Sequence, residues 1–430
     1  MKRKLLLILC ACMLMSGCSN ASRLGESTDP TAETEQVESG SGSGEYKLGS
    51  PSGRKIESVK LEDDYQKAAF LVDQVYAGNE GGNTLVSPLS LNVALGLVAE
   101  GASGMTAKEL YQYLGREDYS DWVDKYVTYA EGLKADGNNF SKYTFSYKLA
   151  NSIWVRKDEV LNNEYKKLVQ EKFRAEAANV DFVGDAAGTA KKINSWCDQH
   201  TEGMIKEVVN EKMFSADLMA VLVNSVYFES PWADKWSLQE HEFTNLQGKT
   251  STQEMLFDVV DAYYENEYCT AFAKDYYNGF QFIGILPKQE GDFQLSDLNL
   301  RSLLNSCTYD YDVKAIAPKL DFETTARNIV DILQAEGVTK AFDPNQAEFE
   351  NLIENQALVI SDILQKCKIE MDEEGTRAAA VTAIFMDKAT AIAPEPREVK
   401  EVYLDRPFAF LIYDNANSQI VFAGKVTDVQ

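Results

Sequence analysis

The chain is poor in the residues that hydrolytic and metal chemistry need. Histidine occurs only as His200 and His241, and neither stands in a catalytic motif. No G-x-S-x-G elbow is there to present a serine nucleophile. Cys197 and His200 have ligand spacing, but no second pair completes a metal set. Gly248-Lys249-Thr250 ends like a phosphate-binding loop, yet Phe243 occupies the position of the required first glycine. The expectation is a protein that is not an enzyme and holds neither metal nor cofactor. Cationic charge is short as well. The 42 Lys and Arg against 67 Asp and Glu leave a formal net charge of -25. A nucleic-acid partner, which needs clustered Lys and Arg to track phosphates, is excluded.

Paired cysteines and long apolar runs are also missing. Cys197, Cys269, Cys307 and Cys367 are widely spaced, with no CxxC among them, so they read as buried thiols rather than a disulfide scaffold. One bridge among the four stays open at this point. The apolar run Leu5 to Met15 is too short to span a bilayer. Lys2, Arg3 and Lys4 precede it and Ser16-Gly17-Cys18 follows, which is the layout of an export leader, residues 1–17. Cys directly after Ser-Gly resembles the lipobox of bacterial lipoproteins, with Met15 a less usual residue three before it. That resemblance implies lipidation of Cys18 and an extracellular chain, anchored to the membrane through the lipid or else secreted. Loss of the three basic residues would take the net charge from -25 to -28.

What is present begins with a polar stretch. Residues 18–55 are rich in Ser, Gly, Glu and Thr and read as a flexible tether. From about Ile56 the pattern becomes that of one large domain, residues 56–430, with no Pro/Gly-rich linker dividing it. Ala68, Leu71, Val72, Val75 and Tyr76 mark a helix face. Ser87-Pro88 opens a second helix, Thr106 and Glu109 suggest a capping box, and Gly115 closes that third helix. Residues 121–134, 162–177, 187–200 and 326–335 read as further helices. Residues 143–155, 218–228, 280–286, 408–413 and 419–426 read as strands, two of them apolar enough to be buried on both faces. Helices dominate the first third and strands the rest, which predicts an α+β fold.

One stretch has a pattern of its own. From Thr376 to Met386 the residues alternate in two phases, with Arg377 and Asp387 on the same one. The other phase, Thr376, Ala378, Ala380, Thr382, Ile384 and Met386, is small or apolar throughout and could face a core from a strand. Composition alone favours a helix here, capped by Thr376 and helped by three alanines.

Glu373-Glu374-Gly375-Thr376, then Ala378, Ala379, Ala380 and Thr382, resembles the reactive-loop hinge of inhibitory serpins. Six other stretches resemble serpin landmarks in serpin order: residues 83–110, 149–158, 193–205, 222–232, 317–324 and 406–426. The resemblance covers about residues 60–428. It implies a single large domain with a dominant mixed sheet, further sheets, about nine helices and an exposed reactive-centre loop over about 373–397. It implies a monomer whose partner is a serine protease, captured as a covalent acyl complex after the loop is cut. Counting from the hinge puts the reactive bond at Ala389–Thr390; Lys388, Met386 and Ile392 are the alternatives. A small residue before the bond suits elastase-like or subtilisin-like proteases. Ser87, Ser90, Asn224 and Trp232 match the family's sheet-opening region. Gln365 stands where the family usually has a His that helps control opening. Two other roles remain: a non-inhibitory serpin acting as a surface binding protein, and a solute-binding lipoprotein with two α/β lobes.

Overall fold

The apolar run after Leu218 folds as a central strand. The computed structural model describes residues 46–50, 54–79, 81–133, 145–354, 358–376 and 397–429. The chain opens with α1 (Asp64–Gly78), β1 (Thr84–Val86), α2 (Pro88–Gly101), α3 (Gly104–Leu114) and α4 (Tyr119–Gly132). β2 (Ser146–Arg156), α5 (Asn163–Phe173), β3 (Glu176–Val180) and α6 (Ala186–His200) follow. Next come β4 (Ala220–Pro231), β5 (Ser237–Thr244), β6 (Thr250–Val260), β7 (Ala262–Glu265), β8 (Cys269–Asp275) and β9 (Phe280–Pro287). After α7 (Leu300–Leu304) lie β10 (Tyr311–Ala317), β11 (Leu320–Ala326) and α8 (Ile329–Ala335). The last elements are β12 (Ile360–Met371), β13 (Gly375–Thr376), β14 (Glu398–Tyr403), β15 (Phe408–Asp414) and β16 (Gln419–Val426).

Among the described residues three sheets form, all within one compact unit. The sheet that concerns function is six-stranded and mixed, in the order β11-β12-β13-β4-β2-β3. β12 runs parallel to β4, from Ile360 opposite Ala220 to Lys366 opposite Ser225. β4 is buried from Ala220 to Ser230 because both its faces are covered. Ala220, Leu222, Val226 and Phe228 join the main core, while Val221 and Val223 point to a second cluster under α6 with Trp154, Ile193 and Leu364. This is the period-two alternation of a strand serving two cores. α2 is apolar almost all round and is buried along nearly its whole length, as a central helix must be. The remaining sheets are a six-stranded one, β1-β16-β15-β9-β8-β7, and a four-stranded one, β14-β10-β6-β5.

The α+β class and the dominant mixed sheet hold, with eight α-helices among the described residues against about nine expected. Three local readings are corrected. The helix over 162–177 stops at Phe173, where Arg174 turns left-handed at φ 54°. Residues 176–180 pair in parallel with β2 instead, since strand pairing outweighs the helix preference of Glu and Ala. Thr106 does not cap α3, which starts earlier, at Gly104. Its hydroxyl accepts from the Glu348 N–H, and Glu109 accepts from the N–H groups of Thr339 and Lys340, so both residues serve a neighbouring loop. Tyr46 and Leu48, inside the stretch read as a tether up to residue 55, pack against the cluster under α6, with Leu48 fully buried.

Candidate functional site

The hinge sequence lies at one end of the large sheet. β12 ends at Met371, and Asp372 turns the chain by accepting from the Glu374 and Gly375 N–H groups at 2.8 and 3.2 Å. Gly375 and Thr376 then re-enter the sheet as β13, antiparallel to both neighbours, Thr376 opposite Met371 on one side and Ser230 on the other. The first hinge residues therefore already occupy the gap between β12 and β4.

Glycine is required at Gly375 by close approach. A Cβ there would lie 2.4 Å from the Ser230 carbonyl oxygen and 2.8 Å from the Pro231 Cα. Thr376 is 3% exposed, and its hydroxyl shares a 2.5 Å hydrogen bond with that of Tyr276. Burial pushes the Tyr276 phenol well above its ordinary pKa, so it keeps its proton. The Tyr276 ring stacks on Trp232, with centroids 4.2 Å apart. The Trp232 indole N–H donates to the Asp372 carbonyl at 2.8 Å, and its backbone N–H donates to Glu374 at 3.1 Å. Two ion pairs flank the turn: Lys319 with Glu373 at 2.9 Å, and Lys235 with Glu374. The Lys319 ammonium holds the Glu373 carboxyl below the usual carboxylate range.

Four of the residues matched to the sheet-opening region meet midway along the same seam. Gln365 on β12 accepts from the Ser87 N–H at 2.8 Å. Its amide donates to the Ser87 carbonyl at 2.9 Å and to the Asn224 side-chain oxygen at 2.6 Å. Asn224 on β4 donates in turn to the Ser90 carbonyl at 2.8 Å and to Asn151 on β2. Ser87, Ser90, Asn224 and Gln365 are all buried, so this polar seam ties β12, β4 and the start of α2 together. It gains from being almost fully satisfied, because parting it in a dry interior leaves polar groups unpaired. Among these donors only the Asn151 amide nitrogen lacks a partner.

Six of the sequence-predicted hinge and seam residues thus fall on one strand boundary, and Glu373, Glu374 and Trp232 gather at its open end. Ala378, Ala379, Ala380, Thr382, Lys388, Ala389, Thr390 and Cys18 lie outside the described residues. Tyr276, Lys235, Lys319 and Asn151 were missed. Lys319 was within reach, since it precedes β11, whose Leu320 pairs with Met371. Tyr276 meets Thr376 across 100 residues of sequence and left no local signal. The four cysteines are free thiols; Cys197, Cys269 and Cys367 are buried and Cys307 is half-buried. No group of His, Cys, Asp or Glu among the described residues is arranged to hold a metal.

Known proteins are similar to this chain along most of its length. The chain is 31% identical over 363 residues to an uncharacterized serpin-like protein of Thermococcus kodakarensis, covering 81% of each. It is 28% identical to alaserpin of Manduca sexta over 388 residues, 87% of this chain and 95% of that one. The structure of Serpin48 from the insect Tenebrio molitor superposes with a TM-score of 0.71 at 26% identity, covering 85% of this chain and 97% of that one. The model of the family described as serpin (serine protease inhibitor) matches residues 65–429. A seam of this geometry, a hinge already seated in it and a family match spanning the whole domain lead to one conclusion: the chain belongs to the serpin family.

Proposed function

We propose that the protein is an irreversible suicide-substrate inhibitor of serine proteases, elastase-like or subtilisin-like in preference. The observation that carries this reading is the seating of Gly375 and Thr376 between β12 and β4, with small residues following on the inward phase. Continuing the register of Thr376 opposite Ser230 sets Met386 opposite Ala220 and Asp387 opposite Ile360, the far end of the seam. Residues 376–387 thus match the length of the strand that the sheet would accept. Insertion of roughly a dozen residues at about 1 kcal/mol net per ladder bond is worth on the order of 10 kcal/mol.

The chemistry is the protease's own. Its serine oxygen attacks the Ala389 carbonyl carbon, and the bond to the Thr390 nitrogen breaks. That nitrogen leaves as an amine carrying the proton which the protease's general acid supplies, and Ala389 is held as a serine ester. The cut end then enters the sheet as a new strand and carries the protease along before water can resolve the ester. The inhibitor acts as a monomer outside the cell, held to the membrane by a lipid on Cys18 or released. A binding role without insertion is the second reading, and one experiment separates the two. The chain is mixed with an elastase-like and a trypsin-like protease and run on denaturing gels. A denaturant-resistant complex is expected, with a released fragment whose mass begins at Thr390. Cleavage by both proteases with no complex overturns the inhibitory reading, and a fragment beginning at Ala389 moves the bond to Lys388.

A further inference from the structure

We infer that the segment Tyr46–Gly49 is a clamp across the far end of the seam, and that its release sets the rate at which the large sheet admits a new strand. The inference rests on the insertion mechanism proposed above. It begins with Leu48, an apolar residue in a polar stretch, which is fully buried. Leu48 belongs to the cluster under α6 that contains Leu218, Val221 and Val223 on the β4 side and Leu364 on β12.

The hydrogen bonds of the segment divide between the two sides of the seam. On the β4 side, the Leu48 N–H donates to the Met213 carbonyl at 2.8 Å, in the turn that leads into β4. On the β12 side, the Gly49 N–H and the Tyr46 hydroxyl donate to one oxygen of Asp362 at 2.9 and 2.7 Å. The same hydroxyl lies 2.8 Å from the Arg327 carbonyl, just beyond β11, and the Arg327 guanidinium sits 5.1 Å over the Tyr46 ring. Asp362 itself is 3% exposed. Gly49 turns left-handed at φ 76°, and a Cβ there would come within 3.3 Å of Leu218. The segment is thus fitted closely to both strands.

The geometry forbids keeping both sets of bonds. A strand inserted between β12 and β4 moves them apart by about 4.8 Å. Leu48 bonds one side and Gly49 the other, and adjacent residues are fixed about 3.8 Å apart at Cα. In the register given above an inserted strand reaches Ile360 and Ala220, so the widening extends to the clamp. One anchor must let go before insertion is complete. Breaking the seam at the hinge alone leaves this second barrier in place.

The test uses the full chain with Tyr46→Phe, which removes one hydroxyl, and Leu48→Ala, which also opens space in the cluster under α6. Each variant and the wild type are incubated with a synthetic peptide carrying residues 376–387, and uptake into the sheet is followed by native gel mobility. Both variants are expected to take up the peptide about tenfold faster or more. Equal rates overturn the clamp. Should no chain take up peptide, hydrogen exchange decides: the Leu48 and Gly49 amides are expected to be slow in the intact chain and fast once its own loop has been cut. Unchanged protection overturns the clamp, provided cutting stabilises the wild type to heat. If cutting gives no stabilisation, the insertion reading itself has failed and the clamp falls with it.

Discussion

At the residue scale, the seam is built from groups that hold no exchangeable charge. Gln365 bonds Ser87 and Asn224 whatever the pH, whereas a His in its place would titrate near neutrality. The pH sensitivity sits instead at Asp362, whose carboxyl is pushed up to about 6 by burial, against donation from Gly49 and Tyr46. A raised carboxylate works against the folded state once ionised. It costs nothing below about pH 4 and its full amount, ~3 kcal/mol, above about pH 6. Asp362→Asn is therefore expected to raise the urea midpoint at pH 7.5 and to leave it nearly unchanged at pH 3.5. A gain of equal size at both pH values would contradict this. Thr376 gives the sharper test of function. Its side chain already sits in the sheet, in a site closed by Tyr276 and Trp232. Thr376→Arg would bury an unpaired charge at a cost of several kcal/mol. The expected result is cleavage by the target protease without a stable complex, and a complex as durable as that of the wild type would sink the insertion argument. Thr376 was legible from its phase in the sequence. Tyr276 was not, because a contact across 100 residues is fixed by topology and not by pattern.

At the element scale, what could be read was whatever depends on local pattern. The continuous apolar run of β4, the Ser87 cap of α2 and the paired C-terminal strands β15 and β16 all follow from spacing alone. What failed depended on partners. Residues 176–180 are good helix material drawn into a strand by β2, and Tyr46–Ser50 are polar by composition yet anchored through Leu48. β13 belongs to both classes, since the phase of Thr376 could be read while its seating between two strands could not. It exists because Asp372 forms the turn and because Gly375 leaves room for Ser230. This makes β13 the element most open to a single change. Gly375→Ala forces a methyl group to 2.4 Å from a backbone oxygen that cannot move without breaking β4. The expected outcome is expulsion of Gly375 and Thr376 from the sheet, loss of the Tyr276 hydrogen bond, and faster exchange of the Thr376 amide. An unaltered environment for Trp232, measured by its fluorescence, would mean that β13 tolerates the methyl and is not seated as tightly as the contact requires.

At the scale of the whole molecule, the large sheet is held shut at three places: β13 at the hinge end, the Gln365–Asn224 seam in the middle and the Tyr46–Gly49 segment at the far end. All three lie on the boundary between β12 and β4, so the sheet has one line along which it can part. Such a line is a weakness for a protein that needs only to be stable. It fits the proposed inhibitor, whose work would be to open once. The main core contains residues from both β12 and β4, and the α6 cluster likewise reaches across with Leu364, so parting costs burial on both faces. A new strand restores the ladder on both its edges and covers the exposed backbone. The intact chain should therefore be the less stable of its two forms, by the ~10 kcal/mol that the added ladder supplies. With an unfolding entropy near 2 cal/mol/K per residue, a domain of this size converts that into a rise in Tm on the order of ten degrees or more. Heating the chain before and after cleavage within residues 386–392 measures it directly. A cut chain that melts at the temperature of the intact one would mean the sheet has not admitted its own loop, and the boundary between β12 and β4 would then be a fold feature without a mechanical role.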